Sequence, residues 1–159
     1  MEESTSKEKV LKHVREALIS KTDQPFPKID FDKPVFKEMD ESFDIYFAQE
    51  LTDSGGKFVY CESENEFIDG LKYLIRDRNW GKVYALEPRI VEILRKGQVS
   101  FSYNTEDLTQ AQVGITGCEF LVARLGSLMV SSGQMAGRGI FVFPEIHVVL
   151  AYTSQLAGD

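Results

Sequence analysis

Residues Gln112–Tyr152 read QVGITGCEFLVARLGSLMVSSGQMAGRGIFVFPEIHVVLAY, and this stretch decides the fold. Six of the chain's twelve glycines fall in it: Gly114, Gly117, Gly126, Gly133, Gly137 and Gly139. Only four charged residues do, Glu119, Arg124, Arg138 and Glu145, and His147 adds one more titratable group. Apolar strand-like runs with few polar groups, set among glycines, are what a preformed pocket requires, because glycine lets backbone approach a ligand closely. The same pattern also describes a buried β-meander whose glycines make its turns. Within the stretch, Gln112–Thr116, Cys118–Arg124, Ser127–Ser132, Ile140–Phe143 and His147–Tyr152 are predicted strands. Leu125-Gly126 is predicted to be a two-residue hairpin connection, with glycine supplying a positive φ.

The chain before this stretch alternates differently. Val10, Leu11, Val14, Ala17 and Leu18 form one apolar stripe, so a helix is expected from about Ser6 to Ser20, capped by Thr5 with Glu8. Residues 22–56 form an irregular segment. Pro25, Pro27 and Pro34 break helical continuity, Ile29, Phe31, Val35 and Phe36 are candidate surface anchors, and Ile45–Leu51 has helical spacing. From residue 57 the order is strand (Lys57–Cys61), helix (Ser63–Arg78), strand (Lys82–Leu86), helix (Pro88–Lys96), strand (Val99–Tyr103). Ser63 with Glu66 forms a second capping box, and Pro88 and Gly97 bracket the second helix in the expected sense. Such alternation specifies βαβ crossovers and a parallel sheet. The expected architecture is α/β, a three-layer α/β/α Rossmann-like sheet with a β-hairpin addition on the same sheet in the C-terminal half. Residues 1–159 are expected to form one domain: an N-terminal helix (1–21), the irregular segment (22–56) and the α/β core (57–159).

Composition removes several function classes. Net charge is −7, with 12 Lys/Arg against 18 Asp/Glu in residues 1–80 and 6 against 7 in residues 81–159. No basic stripe exists to neutralise phosphates, which argues against nucleic acid or an anionic membrane surface as partner. The longest apolar runs are too short to span a bilayer. The polar start, MEESTSKEKV, is not a secretory leader, so the cytoplasm is the expected compartment. The two cysteines, Cys61 and Cys118, lie in no C-x-x-C, and His13 and His147 are far apart in sequence. No zinc or iron–sulfur site within the chain is expected.

Candidate chemistry sits in the glycine-rich stretch. Thr116 and Gly117 end an apolar strand, where a hydroxyl and glycine amides hold an anion or simply make a turn. Glu119, in an almost apolar strand, needs a partner. Arg124 lies on the opposite face of a regular strand, so Arg138 is the expected reach for a structural pair; otherwise Glu119 is an acid/base group. Gly126-Ser127 combines bare backbone with a hydroxyl, in a hairpin turn or at a ligand. The loop Ser131–Gly139, with Ser132, Gly137 and Arg138, is the preferred anion site, because the guanidinium fork matches two oxygens. His147, after Pro144-Glu145-Ile146, is a proton relay or a hydrogen-bonded structural group.

Val113-Gly114-Ile115-Thr116-Gly117-Cys118-Glu119, Ala123-Arg124-Leu125-Gly126-Ser127, Ser131-Ser132, Gly137-Arg138 and Pro144-Glu145-Ile146-His147 occur in an order that resembles the LUD (lactate utilisation) domain family, in particular its protein C-like members. The resemblance is strong from Gln112 onward and weaker before it. It implies the sugar-phosphate isomerase/CoA-transferase type of α/β/α sheet. It also implies membership of a multi-subunit, iron–sulfur-dependent system that oxidises L-lactate to pyruvate in the bacterial cytoplasm, with the clusters in partner subunits. The chain's own task would be binding a small organic anion or holding the assembly together. Two other readings stay open: a stand-alone isomerase or transferase acting on a phosphorylated or CoA-linked molecule, with Glu119 and His147 as acid and base, and a structural or regulatory module. Family members continue past the strand at His147–Tyr152, whereas this sequence stops at Asp159, so a C-terminal tail is expected to be missing.

Overall fold

The computed structural model describes residues 5–19, 30, 32 and 39–158. Expectations for Ser20, Pro25, Pro27, Ile29, Phe31, Pro34, Val35 and Phe36 lie outside these residues. Contacts group the chain into two units, Met1–Lys37 and Glu38–Asp159.

In the first unit, α1 spans Ser6–Ile19. Its capping box forms as the sequence predicts: Thr5 N donates to Glu8 Oε2 at 2.8 Å, and Glu8 N to Thr5 Oγ1 at 3.4 Å. The apolar stripe of Val10, Leu11, Val14 and Leu18 is exposed.

The second unit is mixed α/β, with a parallel sheet and helices. Its helices are α2 (Phe43–Asp53), α3 (Glu64–Asp77) and α4 (Pro88–Lys96). Ser63 Oγ accepts from Glu66 N at 3.2 Å, and the Glu66 carboxylate reaches back to Glu62 N at 2.7 Å. The parallel sheet has the order β1-β2-β5, from β1 (Val83–Tyr84), β2 (Val113–Thr116) and β5 (Ile146–Val149). Val83 aligns with Val113, and Gly114 with His147.

Alternation along these strands sorts the core into two faces. Val83, Val113 and Ile115 pack with Ile68 and Leu71 of α3 and with Ile90, Ile93 and Leu94 of α4. Tyr84, on the other face, packs with Ala111, Ala136 and Ile140. Burying each large aliphatic side chain contributes about 1.5–3 kcal/mol, so these two clusters hold the sheet's geometry.

Several strand expectations are corrected. Lys57–Cys61 joins no ladder among the described residues; the Phe58 ring packs edge-on against Phe47 of α2, with centroids 6.1 Å apart. Val99–Tyr103 contributes only a parallel bridge from Ser102 to Tyr84. Ile140–Phe143 is not extended: Ile140 and Phe141 end a 3-10 turn, Arg138–Phe141, with Ile140 buried against Gly114. The hairpin is not on the parallel sheet. β3 (Phe120–Val122), β4 (Ser127–Met129) and β6 (Leu156–Ala157) form a second sheet of order β4-β3-β6. Val122 aligns with Ser127, so the hairpin connection is the four-residue 123–126 segment, a 3-10 turn closed by Gly126 at φ 56°. β5, which overlaps the predicted strand His147–Tyr152, is a parallel strand of the first sheet.

Candidate functional site at the carboxyl edge of the parallel sheet

The chain leaves β1, passes through α4 and returns to bridge β1 at Ser102 on one side; it then crosses to β2 on the other. The connections thus diverge between the carboxyl ends of β1 and β2, the switch point at which open α/β sheets hold ligands. Three features meet around this edge.

The first is Thr116, the last residue of β2, which is fully buried. Its hydroxyl donates to the Gly117 carbonyl at 2.8 Å and lies 2.8 Å from His147 Nε2. A hydroxyl has one proton, so both contacts are hydrogen bonds only when Nε2 carries a hydrogen and donates to Thr116. That tautomer leaves Nδ1 as the basic nitrogen. The Phe141 ring stands edge-on to the imidazole at 5.4 Å. His147 is exposed over its side chain as a whole, yet its ring is desolvated where it meets Thr116 and Phe141, and this desolvation lowers its pKa below the ordinary 6.5.

A pH dependence follows. The unfolded imidazole takes its proton near pH 6.5 and the folded one only at lower pH, so between these values the unfolded state binds more protons. The stability due to His147 is complete above pH 6.5 and declines on acidification through the lowered pKa. His147→Gln should remove that component. Thermal melts of both proteins from pH 7.5 to 5 should show a shallower decline in the variant.

The second feature is the Gly117 amide, which donates to Glu87 Oε1 at 3.0 Å. Glu87, at the junction of β1 and α4, was absent from the sequence-based candidates. The Leu86-Glu87-Pro88 pattern carried a usable signal, since a first-turn proline places the preceding residue at a strand–helix junction.

The third is the turn Gly117–Glu119, clamped from the C-terminal side. Gln155 Nε2 donates to the carbonyls of Cys118 and Glu119, and its Oε1 accepts from Tyr152 N at 2.7 Å. Tyr152 OH donates to Glu64 Oε1 at 3.0 Å, and Arg89 pairs with the same oxygen. Gln155 stands outside the glycine-rich stretch and gave no sequence signal. Cys118 is buried, and desolvation, then the charges of Glu87 and Glu119, push its thiol up to about 11. It is a protonated packing group at neutral pH.

The remaining sequence candidates are dispersed. Glu119 Oε1 accepts from Ser131 Oγ at 2.7 Å, and Ser131 Oγ in turn accepts from Gly133 N at 3.1 Å. Arg138, the expected partner of Glu119, makes no ion pair among the described residues and is exposed. It opens the 3-10 turn seated on Gly114, where a Cβ would meet Ile140 Cγ1 at 2.8 Å. Gly137, at φ 73°, turns the chain into that segment, and Ser132 is exposed nearby in sequence. Gly126 and Ser127 lie elsewhere: Gly126 packs on the α2 backbone, and Ser127 Oγ donates to the Leu125 carbonyl at 3.2 Å. The structure thus joins Thr116, Gly117 and His147, leaves Glu119 with Ser131, and gives Gly126-Ser127 a packing and turn role.

This arrangement defines a class: an open α/β domain with a polar group at its strand-divergence edge. A family model described as the LUD domain matches residues 46–159, and the chain belongs to that family. Membership ties the chain to lactate utilisation. No curated protein and no solved structure matches it.

Proposed function

We propose that the chain is the small-organic-anion-binding subunit of a multi-component system that oxidises L-lactate to pyruvate, and that the electron-carrying iron–sulfur clusters reside in partner subunits. The observation that carries this reading is the Thr116–His147 pair at the carboxyl edge of a LUD-family sheet. A neutral imidazole anchored through Nε2–H presents Nδ1 as a hydrogen-bond acceptor. Such a group suits the hydroxyl of a 2-hydroxy acid. The Gly117 backbone amide, held by Glu87, lies at the carboxyl end of the same strand, and Arg138 supplies a cation without an ion-pair partner among the described residues.

The chain's residues do not fit an iron–sulfur cluster of their own. A cluster needs four ligands, commonly thiolates, and the sequence has two cysteines, of which Cys118 is buried with a raised pKa.

Arg138→Ala should weaken lactate binding about tenfold, the scale of a lost charge-assisted hydrogen bond. It should change stability by no more than about 0.5 kcal/mol, as for a surface substitution. Calorimetric titration with sodium L-lactate and thermal melts check the two halves. Unchanged affinity would remove Arg138 from the site. The assembly is tested by gentle affinity capture of tagged protein from its host grown on lactate. Coloured co-purifying chains with lactate-dependent dye reduction are the expected result. A colourless, solitary protein that turns over a phosphorylated or CoA-linked compound would instead make it a stand-alone enzyme.

A further inference from the structure

Glu87 occupies the N-cap position of α4, where a side chain can accept an amide hydrogen of the first turn. It makes no such bond. The side chain turns across the switch point instead and takes the Gly117 amide at 3.0 Å. A Cβ at residue 117 would lie 3.1 Å from the other carboxylate oxygen of Glu87, so both carboxylate oxygens lie close to this strand end. One amide hydrogen at the place where open α/β sheets hold ligands is therefore already engaged by an anionic oxygen of the chain itself.

We propose that the Glu87 carboxylate is an internal stand-in for the carboxylate of the ligand, and that a small monocarboxylate binds by displacing it from the Gly117 amide. This rests on the anion-binding reading above and adds to it the residue that sets affinity. One N–H cannot serve two carboxylates well, and two like charges at one strand end repel. The ligand therefore binds the fraction of molecules in which Glu87 has swung away, and its apparent affinity is reduced by that fraction. The class of ligand follows from the competitor: a small carboxylate able to put one oxygen on the Gly117 amide in place of Glu87.

The test uses the full chain, labelled with nitrogen-15, as wild type, Glu87→Ala and Glu87→Gln. Each is titrated with sodium L-lactate, with sodium chloride as the ionic control. Glu87→Ala removes the competitor without removing a helix cap and should bind lactate about tenfold more tightly, with the Gly117 amide resonance moving during the titration. Glu87→Gln keeps an acceptor oxygen but loses the charge, and should fall between the two. If the alanine variant does not fold, tighter binding by the glutamine variant carries the proposal and unchanged binding overturns it. Binding no tighter than wild type overturns it, as does a still Gly117 amide. If the His147 ring resonances move while Gly117 does not, the anion-binding reading survives and the role of Glu87 falls. If neither moves in any of the three proteins, both fall.

Discussion

Gly126→Ala should destabilise the protein by about 3 kcal/mol or more and lower its melting temperature by about 6–12 °C. Two costs combine. The residue sits at φ 56°, a left-handed conformation that costs a residue bearing Cβ about 1–2 kcal/mol. The new Cβ would also lie 2.2 Å from Leu51 N and 2.4 Å from the Glu50 carbonyl carbon. Both are backbone atoms of α2, so no side-chain rotation relieves the overlap; the helix must shift. α2 carries Phe47, which with Cys118, Leu121 and Ala123 forms the core beneath the second sheet. A shift of the helix therefore opens that core. Gly137→Ala is the control. Its φ is 73°, but no atom lies within 4 Å of the added Cβ, so only the conformational cost of about 1–2 kcal/mol applies. Denaturant unfolding of both variants separates the effects. Equal losses would mean that the approach of α2 to the 123–126 turn is not close.

The contrast between these two glycines bears on how much of the structure the sequence made legible. The sequence placed Gly126 in a hairpin turn and Gly137 in a loop, and both have positive φ. Nothing local distinguished the one pressed against a helix some seventy residues earlier from the one facing open space. The same divide runs through the fold. α4 has the predicted bounds, Pro88–Lys96, because its start and stop depend on Pro88 and Gly97 themselves. The caps at Thr5 and Ser63 form for the same reason. Lys57–Cys61 and Ile140–Phe143 have strand-forming side chains, but a strand needs a partner, and pairing is decided elsewhere. Phe58 is taken by Phe47, and Ile140 by the gap over Gly114.

The site divides likewise. Thr116, Gly117 and His147 were legible because they share the glycine-rich stretch and its strand ends. Glu87 and Gln155 reach the same turn across separations of 30 and 37 residues, which no motif encodes. Glu119 was legible as a group in need of a partner, but the partner is a hydroxyl twelve residues on, not Arg138. A carboxylate in an apolar strand announces its demand for a hydrogen bond without naming the donor.

Thr116→Val should reduce lactate affinity more than tenfold while costing about 1–3 kcal/mol of stability, and the two effects have one origin. Valine fills nearly the same volume, so the fully buried position keeps its packing. What disappears is the single proton that ties the Gly117 carbonyl to the Thr116 oxygen, and with it the acceptor for His147 Nε2–H. The carbonyl loses one acceptor bond, and the imidazole loses the contact that fixes both its orientation and its tautomer. With Nε2 no longer committed as the donor, the proton redistributes between the ring nitrogens, and Nδ1 is no longer uniformly the acceptor that the ligand's hydroxyl requires. Nitrogen-15 spectra of the imidazole should therefore show the Nε2–H form in the wild type and a mixture in the valine variant. Thr116→Ser, which keeps the hydroxyl and drops only a methyl group, should restore the tautomer and most of the affinity. The serine variant decides the meaning of any loss. If it melts like the valine variant yet binds lactate like the wild type, the methyl group serves stability and the hydroxyl serves the ligand. If the valine variant itself binds lactate normally, the Thr116–His147 contact is a structural clasp across the parallel sheet, and the ligand's site must be sought on the Glu87–Gly117 side of the same edge.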